Sequence, residues 1–138
     1  MWRFLRRLKP FRWLRELKWF VQRGRRGWAD IDAGNTYTYL ARVIREMVTD
    51  LRDNGNGGCP ASLAYEFVEG RMDATDDDYR PAHEAWRQIL TEIADGFAAV
   101  EEYEEQSPPK DSPEEKALNA RRDRGFDLLK EWFEALWD

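Results

Sequence analysis

The sequence predicts an all-α protein, a small helical bundle of three long helices with an N-terminal basic amphipathic helical arm. Three observations support this prediction. Apolar residues recur at helical spacing in three long segments, no segment alternates apolar and polar residues as a strand would, and Gly-, Pro- or Ser-containing stretches separate the segments. We therefore expect an arm over residues 1–22 and a single all-α bundle domain over residues 23–138.

The first long helix is expected to follow a turn in which Asp30, Asp32 or Asn35 caps free backbone amides. The Gly- and Asn-rich segment 54–60 ends it, and a short helix is expected within 62–72. The apolar stripe of this first long helix consists of Tyr37, Leu40, Ala41, Ile44, Val48 and Leu51.

The second long helix gives the strongest periodic signal. Pro81 suits its first turn, so the acidic run 73–78 is expected to be a loop before it. In the last helix, Ser112 is expected to cap the first turn while Glu115 reaches back to it, with Pro113 between them. The stripe of the second helix consists of Ala82, Trp86, Ile89, Leu90, Ile93, Phe97 and Val100.

The N-terminal stretch 1–28, which contains the arm, has the opposite charge to the rest of the chain. Residues 1–28 contain ten basic side chains and one acidic side chain, a net charge of +9, whereas the other 110 residues contain 12 basic and 26 acidic side chains, or −14. From Phe11 to Val21 the apolar residues share one side, which predicts an amphipathic helix that Gly24 and Gly27 stop.

A basic, Trp-rich amphipathic segment can bind an anionic membrane surface, nucleic acid or an acidic protein face. The other interpretation is that the arm packs on its own acidic domain and buries its Trp side chains there. The candidate partner-binding residues are Trp2, Arg3, Arg6, Arg7, Arg12, Trp13, Arg15, Lys18 and Trp19.

A second candidate site lies where the arm meets the first long helix. Aromatic rings can stack on a flat ligand, and Arg side chains bind phosphate with two hydrogen bonds. The candidate ligand-binding residues for an anionic, nucleotide-like small molecule are Arg25, Arg26, Trp28, Tyr39, Arg42 and Arg45.

The sequence contains no convincing catalytic set, so we expect a non-enzymatic protein without a cofactor or a metal. The pairs Glu66/Glu69 and Glu92/Asp95 resemble the carboxylates that hold Mg²⁺ in all-α NTP pyrophosphohydrolases, which are the enzyme alternative. Helical geometry, however, turns the second pair away from the core stripe. The single Cys59 and the lack of a long apolar run favour the cytoplasm.

The layout resembles a family of small helical proteins encoded by tailed phages. The resemblance covers roughly residues 23–138 and rests on Arg26-Gly27-Trp28, Asp30-x-Asp32, Tyr39-Leu40-Ala41, Pro60, the segment from Trp86 to Phe97, and Phe133-x-x-Leu136-Trp137. These are mainly core and capping residues, so the resemblance implies a shared fold and brings no activity.

Together these patterns suggest a phage accessory binding protein in the host cytoplasm that engages a host protein or sequesters a phosphate-bearing small molecule. The alternative is a structural or surface-associating protein whose basic arm binds anionic membrane, nucleic acid or a virion subunit, with a membrane-peripheral location in the first case. Self-association into a homo-oligomer is compatible with either interpretation.

Overall fold

A computed structural model of the chain describes residues 10–55, 58–69, 71 and 73–136. These residues form α-helices and a short 3-10 helix and contain no strand, which confirms the all-α prediction for this part of the chain. The α-helices are α1 (Pro10–Arg26), α2 (Asp30–Ala33), α3 (Thr36–Asn54), α4 (Ala61–Val68), α5 (Asp76–Gln106) and α6 (Pro113–Trp132), and the 3-10 helix is Phe133–Ala135.

The chain divides into two compact units, Met1–Tyr39 and Leu40–Asp138. The N-terminal unit has ten basic and three acidic residues, a net charge of +7, and the C-terminal unit has 12 basic and 24 acidic residues, or −12. The charge asymmetry of the sequence is therefore an asymmetry between two structural units.

In the N-terminal unit, α1 is longer than the sequence predicts. The prediction that Gly24 and Gly27 stop the helix is correct for Gly27 and wrong for Gly24, because the helix continues to Arg26 and ends where Gly27 adopts a φ of +80°. The amide of Gly27 still donates to the carbonyl of Arg23 at 2.9 Å, so the helix closes with a residue in the left-handed region. A glycine within a helix lowers its stability without ending it.

The core of the C-terminal unit is built around α5. Its predicted stripe is largely buried, with Ile93 fully inaccessible and Trp86 packed edge-on against Trp132 at a ring-centroid distance of 5.6 Å. From α3, Ala41 and Val48 are buried in the same core. The start of the predicted α3 stripe is not buried, because the side chains of Tyr37 and Leu40 are about half exposed.

The beginning of α5 corrects two expectations. The helix starts at Asp76, so Asp76 to Asp78 are helical rather than a loop, and Pro81 lies inside the helix rather than in its first turn. The carboxylate of Asp78 accepts hydrogen bonds from the backbone amide and the hydroxyl of Thr75, both at 2.8 Å. Acidic residues are favourable here because the helix dipole is positive at its N-terminus.

The start of α6 confirms Ser112 as its cap. The hydroxyl oxygen of Ser112 accepts from the amide of Glu115 at 3.1 Å. The Glu115 carboxylate does not accept a hydrogen bond from the backbone amide of Ser112. It accepts instead from the amide of Asp111 and from the hydroxyl of Tyr103, so the expected capping box is only half formed.

Helices α5 and α6 approach each other closely at two glycines. A Cβ atom added to Gly96 would lie 2.5 Å from the Cα of Gly125, and one added to Gly125 would lie 2.6 Å from the Cα of Gly96. Both glycines are buried, so the two backbones touch with no side chain between them.

Candidate functional site

One face of α1 exposes a stripe of large apolar side chains. At about 100° per residue, positions 13, 14, 17, 20 and 21 fall within an arc of about 120° on one side of the helix. Trp13 is 56% exposed and Phe20 is 72% exposed, far more than core residues. We call this set the apolar stripe; it consists of Trp13, Leu14, Leu17, Phe20 and Val21.

The opposite face of α1 is polar and is held by the acidic residues of α2. The carboxylate of Asp30 accepts from Lys18 and from Gln22, both at 2.8 Å, and from Arg26. These hydrogen bonds hold the pKa of Asp30 far below its usual value, and the hydrogen bond from Lys18 has the largest effect. Asp30 therefore remains an anion and accepts hydrogen bonds from three side chains of α1.

Asp32 forms the second attachment. Its two carboxylate oxygens accept from the guanidinium group of Arg23 at 2.9 and 2.6 Å, and one of them also accepts from the amide of Ala29 at 2.8 Å. The Asp32 side chain is buried, and its hydrogen bonds with Arg23 lower its pKa despite the opposing effect of burial. The pair with Arg23 thus fixes the rotation of α1 about its own axis relative to α2.

These attachments determine which side of α1 is presented outwards. Because Asp30 and Asp32 bind the polar face, the apolar stripe points away from α2. The same helical geometry places Lys18 and Arg25 along one edge of the stripe and Arg12 and Arg23 along the other. Glu16 lies on the second edge as well, and Lys18, Arg23 and Arg12 are paired with Asp30, Asp32 and Glu16. The exposed face of α1 is therefore apolar in the middle and has mostly paired charges at its margins, with Arg25 the margin cation that has no carboxylate partner among the described residues.

The predicted ligand residues of the N-terminal unit close the turn between α1 and α2. The guanidinium group of Arg26 stacks on the ring of Trp28 at 3.8 Å, and its Nε donates to the carbonyl of Trp28 at 3.0 Å. The hydroxyl of Tyr39 donates to the carbonyl of Gly27 at 2.7 Å. Arg25 lies nearby on the last turn of α1. Arg26, Trp28 and Tyr39 therefore have structural partners within their own unit.

Arg42 and Arg45 belong to the C-terminal unit, where both pair with Glu101. The Nε of Arg42 donates to one Glu101 oxygen at 2.8 Å, and Arg45 lies against the other oxygen. Only 12% of the Glu101 side chain is exposed, so the two guanidinium groups neutralise a largely buried carboxylate. This pairing reduces the positive charge that they could offer to a phosphate.

The predicted partner-binding residues are only partly described. Trp2, Arg3, Arg6 and Arg7 lie outside the described residues. The remaining ones are Trp13 in the apolar stripe, Arg12 in an exposed ion pair with Glu16 at 2.9 Å, Arg15 stacked on Trp19 at 4.9 Å, and Lys18 on Asp30.

Sequence reasoning recognised the apolar side of α1 but did not select Leu17, Phe20 and Val21 as site residues. It also treated Asp30 and Asp32 as helix caps. The signal that could have found their second role is the placement of two acids directly after a strongly basic helix.

The acidic residues of the enzyme alternative are engaged in ion pairs between helices. Glu92 accepts from Arg124 at 2.9 Å, and Asp95 accepts from Arg121 at 2.9 and 2.6 Å. Both face α6 at the flank of the core, as helical geometry predicts. Glu66 and Glu69 are exposed on α4 and just after it. Within the described ranges no group of three metal-ligating side chains occurs, and no helix is long and apolar enough to cross a bilayer.

Comparison of the chain with protein-family models, curated proteins and solved structures finds no significant match. The resemblance to a phage family thus stays a prediction.

Proposed function

We propose that the protein is a non-enzymatic, peripheral membrane-binding protein in which α1 lies flat on an anionic bilayer. The observation that carries this proposal is the exposed apolar stripe, on a helix whose six basic residues outnumber the three acidic residues of its unit, Glu16, Asp30 and Asp32. In this arrangement the stripe enters the boundary between headgroups and acyl chains, while the Lys and Arg side chains reach the lipid phosphates. Helices α3, α5 and α6 then act as a three-helix bundle that carries the arm.

The stripe favours a lipid surface over nucleic acid. Binding to a nucleic acid backbone requires cations and stacking aromatic groups, and gains little from Leu14, Leu17 and Val21. A bilayer uses both parts of the helix, because each apolar side chain leaves water and each basic residue near an anionic surface adds about 1 kcal/mol.

The second candidate function, a binding protein for a phosphate-bearing small molecule or a host protein, has less support. Its residues Arg26, Arg42 and Arg45 are already in contact with Asp30 or Glu101. A phosphate would have to compete with these carboxylates for the same guanidinium groups, whereas a bilayer also gains from burial of the apolar stripe. For this second candidate we also expect a phage origin and a location in the host cytoplasm.

Co-sedimentation of the full chain with lipid vesicles tests the proposal. We expect binding to vesicles of phosphatidylcholine mixed with phosphatidylglycerol, weak binding to phosphatidylcholine alone, and a decline as the salt concentration rises. The variant Phe20→Gln removes the most exposed ring of the stripe, and we expect its partition coefficient to fall about 30-fold, which corresponds to about 2 kcal/mol of lost burial.

Tyr65→Gln is the matched control, since Tyr65 is an aromatic residue on α4 that is 67% exposed. It should bind the mixed vesicles as the wild type does. Equal losses for Phe20→Gln and Tyr65→Gln, or unchanged binding by Phe20→Gln, would contradict the proposal. Salt-sensitive binding to DNA with no binding to vesicles would support the nucleic acid alternative instead.

A further inference from the structure

The C-terminal unit contains an apolar groove of its own. It lies between α3 and the end of α6 with the 3-10 helix and has a volume of about 600 Å³. Its walls include Ile44, Val48 and Leu51 from α3 and Leu129 from α6. At its mouth, Met47 and Phe133 are each 67% exposed. A groove of this size lined by apolar side chains is typical of sites that receive one face of an amphipathic helix.

The surroundings of the groove are acidic. Asp50 lines it directly, and the C-terminal unit that contains the groove has 12 basic and 24 acidic residues, a net charge of −12. The neighbouring Arg45 and Arg52 are paired with Glu101 and Asp53. Lys130 is the basic residue on the groove segment of α6. An incoming helix that fits should therefore be apolar on one face and positively charged.

The chain itself contains a helix with these properties. The apolar stripe of α1 has anchors at positions 13, 17, 20 and 21. The six basic residues of α1 outnumber Glu16, Asp30 and Asp32, the three acidic residues of the N-terminal unit, so a net positive charge remains after they pair. We propose that α1 of a second copy of this chain docks in the groove. In a symmetric dimer each copy donates its α1 to its partner, so that two identical contacts form.

This inference concerns the protein in solution and does not depend on the proposed binding to membranes. If the protein both dimerises in this way and binds membranes, the two contacts exclude each other, because the stripe cannot contact the groove and a bilayer at once. Vesicles and self-association should then compete for α1.

Sedimentation velocity of the full chain without lipid tests the proposal. We expect a dimer that dissociates on dilution. The variant Met47→Lys places a positive charge at the mouth of the groove and keeps a good helix-forming residue in α3. Its dimer dissociation constant should rise at least about tenfold. Tyr65→Lys, at an equally exposed position on α4, should leave the constant unchanged.

A mixing experiment tests the pairing of the two surfaces. Phe20→Gln should also dimerise weakly, because its stripe is damaged while its groove is intact. In a mixture with Met47→Lys, the intact α1 of the groove variant can dock in the intact groove of the stripe variant. The mixed dimer should therefore form more readily than a dimer of the Met47→Lys variant, which has no intact contact.

Three results would overturn the proposal. They are a wild type that stays monomeric at every concentration, a Met47→Lys variant that dimerises as the wild type does, and a mixture that associates no better than the separate variants. None of them alters the vesicle result, since Met47→Lys leaves α1 intact and should still bind anionic vesicles.

Discussion

The contact between Gly96 and Gly125 predicts that Gly96→Ala destabilises the C-terminal unit. The added methyl group would lie 2.5 Å from the Cα of Gly125 and 2.9 Å from the carbonyl oxygen of Arg121, and all of these are backbone atoms that cannot rotate away. To restore ordinary van der Waals distances, α5 and α6 would have to separate by about 1 Å. Overpacking costs about 1–3 kcal/mol, and contacts this short between backbone atoms place the cost here in the upper part of that range, about 2–3 kcal/mol.

The helix preference of alanine opposes part of this cost. Replacing a glycine inside a helix by alanine is favourable by about 1 kcal/mol, so the net loss should be about 1–2 kcal/mol. For a domain of this size, that loss corresponds to a decrease in Tm of roughly 5 °C. Thermal melts followed by near-ultraviolet circular dichroism measure it, because Trp86 and Trp132 pack in the same core.

Two further variants separate the steric effect from helix preference. Gly24→Ala makes the same substitution in α1, where no atom lies within 4 Å of the added Cβ, and should leave the melt of the C-terminal unit unchanged. The double variant Gly96→Ala/Gly125→Ala should lose less stability than the sum of the single variants, because the helices separate only once. A Gly96→Ala protein that melts at or above the wild-type temperature would refute the reasoning.

Three smaller predictions concern hydrogen-bonded side chains. Asp32→Asn should speed hydrogen exchange at the amide of Ala29, measured by nuclear magnetic resonance, whereas Glu16→Gln should not. Because its folded pKa is lowered, Asp32 contributes stability above its unfolded pKa of about 4 and loses it as the pH falls through its folded pKa, so resonances of α1 and α2 should shift in acid. Ser112→Ala should cost about 1 kcal/mol in denaturant unfolding, and Ser62→Ala, exposed on α4, much less.

Much of the fold follows from local patterns in the sequence. The stripe from Ala82 to Val100 predicts the buried side of α5, because helical periodicity depends only on the residues of that helix. The cap at Ser112 is predictable for the same reason. The beginning of α5 is harder, since Thr75 and Asp78 form a start signal that competes with Pro81 only five residues further along.

The candidate site shows a different limit. The apolar side of α1 is visible in the sequence, but which cations are already neutralised is not. Lys18 and Asp30 are twelve residues apart and meet only because α1 and α2 fold back on each other. Arg42 and Glu101 are separated by 59 residues. Contacts at such distances along the chain leave no periodic signal, so the charge available to a partner becomes known only from the structure.

The central claim is that the apolar stripe of α1 enters an anionic bilayer. A spin label attached through Phe20→Cys in a Cys59→Ser background measures this directly, with Tyr65→Cys as the matched surface position. When mixed phosphatidylcholine and phosphatidylglycerol vesicles are added, the label at position 20 should become accessible to oxygen and shielded from water-soluble relaxation agents, and the label at position 65 should stay in water. A label at position 20 that stays in water while the protein is bound to the vesicles would contradict the account.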